Sequence, residues 1–347
     1  MHYPFSIDTL VLLGVQNRYW GYGIVFLLWY VPVLVRLFIR LLTVSIYSRF
    51  QLTYVLLYVA CTIAEIVSIL NEIFKVPAEW KLLGKDDVAL VTGGLAGLGL
   101  EVVKSLVYDH QVGKVIIFDI QQPRFKFDSR VEFCCCDIAS HSALKSRVDA
   151  TLRLLRNENT HISVLVNNAG VCYSGSLLNM SEEAINKLFN VNTFAMIEIV
   201  RRVVRNHLKF HKNSQLSLVT VSSILGALGP KNLLVYSASK AAITQIHECL
   251  TAELHHHRKI SMLLVTPGQL TTEMFKDISP SRTFFAPLVN HIALAKCIVE
   301  KVSRGESGTL SEPFYANFLP SVKVLPLVVQ YWCRWFSQMD KKIPDIP

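Results

Sequence analysis

Acidic side chains are missing from the front of this chain. Between Thr9 and Ala64 the only charged residues are Arg18, Arg36, Arg40 and Arg49. No small-residue cleavage site follows a short apolar core there, which excludes an ordinary cleaved secretory signal. Eight cysteines are present, but neither zinc spacing nor a disulfide framework can be drawn through them. Cys134-Cys135-Cys136 fall in an apolar run, where buried thiols are expected, and reduced thiols suit a cytosolic face. The run His255-His256-His257 is followed by Arg258 and reads as a solvated basic turn, so no metal site is expected. Nor does any nucleic-acid motif accompany the net charge of +9. The basic balance is therefore assigned to anionic lipid headgroups, with no nucleic-acid partner. Internal repeats and low-complexity tracts are absent.

What the chain does have is apolar residues: 51% of its 347 positions are hydrophobic, with a mean hydropathy of +0.36. Two apolar runs stand out, Trp20–Val35 and Leu52–Leu70. The first is short for a bilayer core of roughly 30 Å and holds Pro32; the second is long enough but carries Glu65. One span, two spans and a re-entrant hairpin all fit, and membrane lipids are the expected partner. Lys75, Lys81 and Lys85 argue for a cytosolic main domain. On that placement the sequon Asn179-Met-Ser181 stays unmodified.

After Pro77 the pattern changes. Apolar strands are expected at Val88–Thr92, Lys114–Ile120, Val131–Cys136, Ile162–Asn167, Gln215–Ser222 and Ile260–Thr266. Helical stretches separate them at Leu100–Tyr108, Ser140–Leu155, Ser181–Leu208 and Tyr236–His255. Such alternation means an α/β fold with a doubly wound parallel sheet, its ligands at the carboxyl ends of the strands. The expected organisation is a membrane anchor over 1–77, a Rossmann-type catalytic domain over 78–310 and an apolar tail over 311–347. Two prolines, Pro320 and Pro326, break the tail. A lid, a membrane-touching surface and ordinary packing all suit it.

The turn Thr92-Gly-Gly-Leu-Ala-Gly-Leu-Gly99 lies between the first strand and its helix. Gly93, Gly97 and Gly99 let the backbone approach a pyrophosphate, and the helix N-terminus offers free N–H groups. Asp119 closes the second strand twenty residues past Gly99. A carboxylate there accepts hydrogen bonds from ribose hydroxyls and repels a 2′-phosphate, favouring NAD. Arg124 keeps NADP open. Tyr236 and Lys240, four apart among small residues in VYSASKAA, share one helix face.

These residues together resemble the short-chain dehydrogenase/reductase family, from about Asp86 to Met274. The glycine turn matches TGxxxGxG, and Asp137 in CDIA matches the family's adenine contact. Asn167-Asn168-Ala169-Gly170 is NNAG, Asn192 lies in NVN, Ser223 in VSSILG, and Tyr236 and Lys240 form YxxxK. Pro267-Gly268 and Thr272 complete the set. The resemblance implies a cofactor site of Thr92, Gly93, Leu95, Gly97, Leu98 and Gly99, together with Asp119, Asp137 and Asn168. Tyr236, Lys240, Pro267, Gly268 and Thr272 join it. It implies catalysis by Asn192, Ser223, Tyr236 and Lys240. Tyrosine has a free pKa of about 10, so a neighbouring ammonium and the oxidised cofactor are expected to make it acidic. Tyr236 would then exchange a proton with the substrate oxygen, Ser223 would bind that oxygen, and Asn192 would position a water leading to Lys240. Pairing through the helices bearing Asn192 and Tyr236, giving a homodimer, is also implied.

With membrane segments first and an apolar tail last, the outline looks like membrane-associated retinol dehydrogenases and lipid-droplet 17β-hydroxysteroid dehydrogenases. That resemblance implies a lipophilic small-molecule substrate: a retinoid, a steroid or a long-chain lipid alcohol. It also implies a membrane location on the endoplasmic reticulum or lipid droplets, with the catalytic domain cytosolic. Two other readings are an NADPH-dependent keto-lipid reductase and a catalytically idle NAD-binding scaffold.

Overall fold

The computed structural model describes residues 44–75, 80–124, 126–275 and 282–341. The expected apolar run Trp20–Val35 lies outside them. The chain divides between Lys75 and Val76 into two units, each considered by itself.

The first unit contributes one described helix, α1 (Val44–Lys75). Its side chains from Val55 to Ser68 are exposed on every face, Leu56, Tyr58, Ile63 and Val67 among them. The described side chains run unbroken only from Tyr54 to Ser68. Among the described residues no helix is long and apolar enough to cross a membrane.

The second unit is built on seven parallel strands. They are β1 (Val88–Thr92), β2 (Lys114–Asp119), β3 (Val131–Cys135), β4 (Val164–Asn167), β5 (Leu216–Val221), β6 (Ile260–Pro267) and β7 (Gly308–Glu312). Their spatial order is β3-β2-β1-β4-β5-β6-β7. Every residue of β1, β4 and β5 is buried, because helices cover both faces of a parallel sheet. Alternate residues of β1 feed opposite layers. Val88 and Leu90 pack with α3 (His141–Asn157), α5 (Ala195–Phe210) and α6 (Leu234–Leu254). Ala89 and Val91 pack with α2 (Gly97–Lys104) and α7 (His291–Ser303).

Three features depart from the sequence reading. The cysteine run is not uniformly buried: Cys136 is buried, Cys134 half-buried and Cys135 exposed. The cause is position, since β3 is an edge strand and its side chains alternate between sheet and solvent. The helical stretch from Ser181 is interrupted: α4 (Glu182–Phe189), capped by Ser181, joins α5 through a π turn at Asn190–Phe194. Finally, α7 and β7 were not expected, and the boundary at 310 falls inside β7. The N-cap of α7 was legible in Asn290, whose side chain accepts from the N–H groups of Ile292 and Ala293.

Candidate active site

The strand order reverses between β1 and β4, and a cleft of about 600 Å³ opens at their carboxyl ends. The glycine turn forms its floor. Gly93 has φ +66° and Gly97 φ +51°, the left-handed region that favours glycine. A Cβ at Gly99 would stand 2.1 Å from the Gly93 carbonyl oxygen, so this glycine lets α2 approach the turn rather than lining the cleft. Leu98 lines the cleft beside Gly97.

Side chains brace the turn from beneath. The Thr92 hydroxyl accepts from the N–H groups of Asn168 and Ala169, each at 3.1 Å. Asn168 donates to the carbonyls of Thr92 (3.1 Å) and Gly93 (3.0 Å). Its amide nitrogen is thus committed to holding the loop, a positioning role beside the cofactor contact that the resemblance implied. Leu95 turns its N–H onto the Asp119 carboxylate at 3.0 Å, and it does not line the cleft.

Asp119 stands at the tip of β2 with its other oxygen accepting from Gln121 N–H. Asp137 lies along the same wall and accepts from Ala139 N–H. Across the cleft are Pro267, Gly268 and Thr272. A Cβ at Gly97 would come within 3.2 Å of the Thr272 methyl, which sets that threonine directly over the turn. A glycine cradle that added Cβ atoms would fill, flanked by an acceptor carboxylate, fits a dinucleotide. Gly93 and Gly97 would take the pyrophosphate, Asp119 the adenosine ribose and Asp137 the adenine side.

The reacting end is assembled by α6. Tyr236 and Lys240 are both buried on the helix face turned to the cleft. Ser223 lines the cleft beside Tyr236, and its side chain opposes the upward push on the phenol. Ser223 caps a short 3-10 turn by accepting from Leu225 N–H at 3.1 Å. Lys240 Nζ donates to the Val221 carbonyl at 3.0 Å and lies 5.8 Å from the Tyr236 ring centroid. Asn192 sits in the π turn, a local underwinding common at functional sites. Its side chain is taken up by Val171, through N–H and carbonyl, and by the Ser239 hydroxyl. It therefore does not line the main cleft.

The electrostatics correct one expectation. Burial lowers the Lys240 ammonium to about 8. Burial also pushes the Tyr236 phenol above its ordinary range; the Cys172 thiol adds to this and the Ser223 side chain opposes it. Desolvation disfavours every charged form, so a close ammonium alone does not make this phenol acidic. Positive charge brought into the cleft has to do so.

Beside Tyr236 the cleft carries the apolar side chains Val171, Tyr173 and Phe275, while Met274, Lys187 and Glu273 line it further out. Phe275 meets the Tyr236 ring edge-on at 5.9 Å. None of these was singled out in the sequence. Val171 follows NNAG directly and Tyr173 lies two residues further on, the one available signal. Among the described residues no group of His, Cys, Asp or Glu could hold a metal ion.

Residues 87–283 match the family described as short chain dehydrogenase, more than half of the chain. This chain is a short-chain dehydrogenase/reductase. The dehydrogenase is 36% identical over 271 residues to the uncharacterized oxidoreductase TDA5 of Saccharomyces cerevisiae, covering 77% of this chain and 81% of that one. It is 28% identical over 202 residues to a 3-oxoacyl-[acyl-carrier-protein] reductase FabG of Chlamydia muridarum, covering 55% of this chain and 77% of that one. A short chain dehydrogenase of Burkholderia cenocepacia, solved with NADP, superposes with a TM-score of 0.60 at 21% identity. That pairing spans 73% of this chain and 98% of the other. The dehydrogenase is an NAD(P)-dependent oxidoreductase acting on CH–OH groups.

Proposed function

We propose that the dehydrogenase interconverts an alcohol and a carbonyl on a lipophilic molecule, using NAD, from a membrane surface. The observation that carries this reading is the packing of Val171, Tyr173 and Phe275 with Tyr236 in the cleft. Against these side chains an apolar substrate gains by burial, about 25 cal/mol for each Å² removed from water. Bound NAD supplies the hydride acceptor or donor. Tyr236 holds the proton exchanged with the substrate oxygen, and Ser223, beside it in the cleft lining, steadies that oxygen. Lys240 reaches from the same helix face towards the ribose side. Asn192 fixes the π turn and the Val171 backbone.

Asp119 supports NAD over NADP, because a 2′-phosphate would add negative charge beside its carboxylate. The likeness to FabG favours a second reading, a keto-lipid reductase, which the same carboxylate opposes through its need for NADPH. An idle NAD-binding scaffold leaves the convergence of Ser223, Tyr236 and Lys240 on the cleft without a use. Membrane attachment is supported by α1, whose apolar side chains face outward on all sides, and by the all-arginine charge of Thr9–Ala64. The residence proposed is the endoplasmic reticulum or a lipid droplet, with the catalytic unit cytosolic.

The test is turnover by the purified full chain, given NAD and a panel of retinol, steroid, long-chain and short hydrophilic alcohols. Lipophilic alcohols should be oxidised, and Tyr236→Phe should lower kcat by about 10²–10⁴-fold while leaving NAD binding intact. Turnover confined to hydrophilic alcohols would reject the reading.

A further inference from the structure

The C-terminal helix α8 (Leu327–Ser337) has two unlike faces. One is clamped to the catalytic unit. Arg334 donates to the Gly229 carbonyl at 3.1 Å and pairs with Asp340 at 2.8 Å. Asp340 in turn accepts from Lys231 N–H. Arg282 donates to the Phe336 carbonyl at 2.8 Å and lies 4.4 Å over the Phe336 ring, which meets Phe285 edge-on. Gly229 and Lys231 belong to the segment between Ser223 and Tyr236, and Arg282 and Phe285 follow Phe275 in the chain. The helix is therefore anchored to the two segments adjoining the substrate side of the cleft.

The other face is apolar and uncovered. Leu327, Val328, Tyr331, Trp332 and Trp335 are 56–73% exposed, at spacings that place them in one stripe. Val324, just before it, is 83% exposed. A contiguous patch of this kind marks a contact surface. Between Glu312 and Asp340 the sequence holds Lys323 and Arg334 and no carboxylate.

We propose that this stripe lies in the headgroup–acyl boundary of an anionic bilayer and seats the substrate side of the cleft on the lipid surface. Three properties select lipid over a second copy. Tryptophan and tyrosine beside basic residues form the composition of interfacial helices. With Arg334 paired to Asp340, the charge left beside the stripe is the exposed Lys323, which a two-fold contact would set against its own copy and which anionic headgroups complement. A helix of eleven residues, about 16 Å long and about 10 Å wide, offers a face of roughly 160 Å², well short of the roughly 800 Å² per partner that a stable dimer needs. The use of such seating rests on the lipophilic substrate proposed above; the contact itself does not.

The chain has five tryptophans. In the full chain, Trp20→Phe, Trp29→Phe and Trp80→Phe leave Trp332 and Trp335 as the only indole reporters. The variant is mixed with phosphatidylcholine–phosphatidylserine vesicles whose phosphatidylcholine carries bromine on its acyl chains. Emission should fall at least about twofold against unbrominated vesicles. Unquenched emission from chain that floats with the vesicles overturns the contact of α8 and leaves membrane attachment standing. Chain that does not float overturns both. If emission is unquenched and Trp332→Ser with Trp335→Ser abolishes a dimer in solution, the occupant is a second copy. Should the triple variant lose NAD binding, the difference in quenching between the unmodified chain and Trp332→Phe/Trp335→Phe gives the same reading. Quenching without turnover of any lipophilic alcohol keeps the contact and removes the proposed substrate class.

Discussion

The side-chain amide of Asn168 donates to the carbonyl of Gly93 at 3.0 Å, joining the end of β4 to the glycine turn after β1. A second bond from the same nitrogen reaches Thr92. Two adjacent backbone carbonyls of the turn thus depend on one side chain.

Asn168→Ala is expected to leave those carbonyls without this donor. The cost should be about 1–3 kcal/mol, a fall in Tm of several degrees, with weaker NAD binding. Thermal melts with and without NAD measure both. An unchanged melt would mean that water replaces the amide at no cost.

On the proposed function Asp119, which accepts from Leu95 N–H, would set the choice of cofactor. Removing the carboxylate removes the repulsion of a 2′-phosphate. Asp119→Ser should weaken NAD binding by about tenfold or more and bring NADP closer to parity. Fluorescence titration with the two reduced cofactors checks this; an unaltered ratio would place the discriminating group elsewhere.

Acid should loosen the fold through two buried imidazoles. Burial lowers His207 and His247 to about 4. His207 has neither ring nitrogen hydrogen-bonded and faces His161, His211 and His257. The unfolded chain takes up these protons near pH 6.5 and the folded chain only near 4. Stability therefore falls as pH drops through that window, by about 3 kcal/mol for each histidine at its lower end. His207→Leu should show a smaller loss of Tm between pH 7.5 and pH 5 than the parent chain. An identical loss would exonerate His207.

Asn179 is exposed at the end of a short 3-10 turn, so a glycosyltransferase could reach it if the catalytic unit lay in a lumen. With that unit in the cytosol, digestion with an N-glycosidase should leave the mass of the protein unchanged.

Much of this molecule could be read along the chain. The strands β1, β2, β4, β5 and β6 fall where the apolar runs lie, because a sheet covered on both faces needs every position apolar. Cleft residues such as Gly97, Asp119, Tyr236 and Lys240 were marked by spacing, since turns and helix faces repeat over a few residues, and Ser223 by the family resemblance alone. The helix α7 escaped notice even though Asn290 capped it, and β7 has only partly buried side chains to announce it.

Other matters are settled only where distant segments meet. Local pattern fixes which backbone an apolar or glycine-rich stretch adopts, since that depends on neighbours in sequence. It does not fix which strand becomes an edge, so Cys135 reaches solvent while Cys136 does not. Nor does it say that the Asn168 amide spends itself on a carbonyl 75 residues away, or that Phe275 meets Tyr236. The acidity of Tyr236 belongs to the same class. A spacing of four set an ammonium beside a phenol, but the desolvation that outweighs it comes from the packing of the whole cleft.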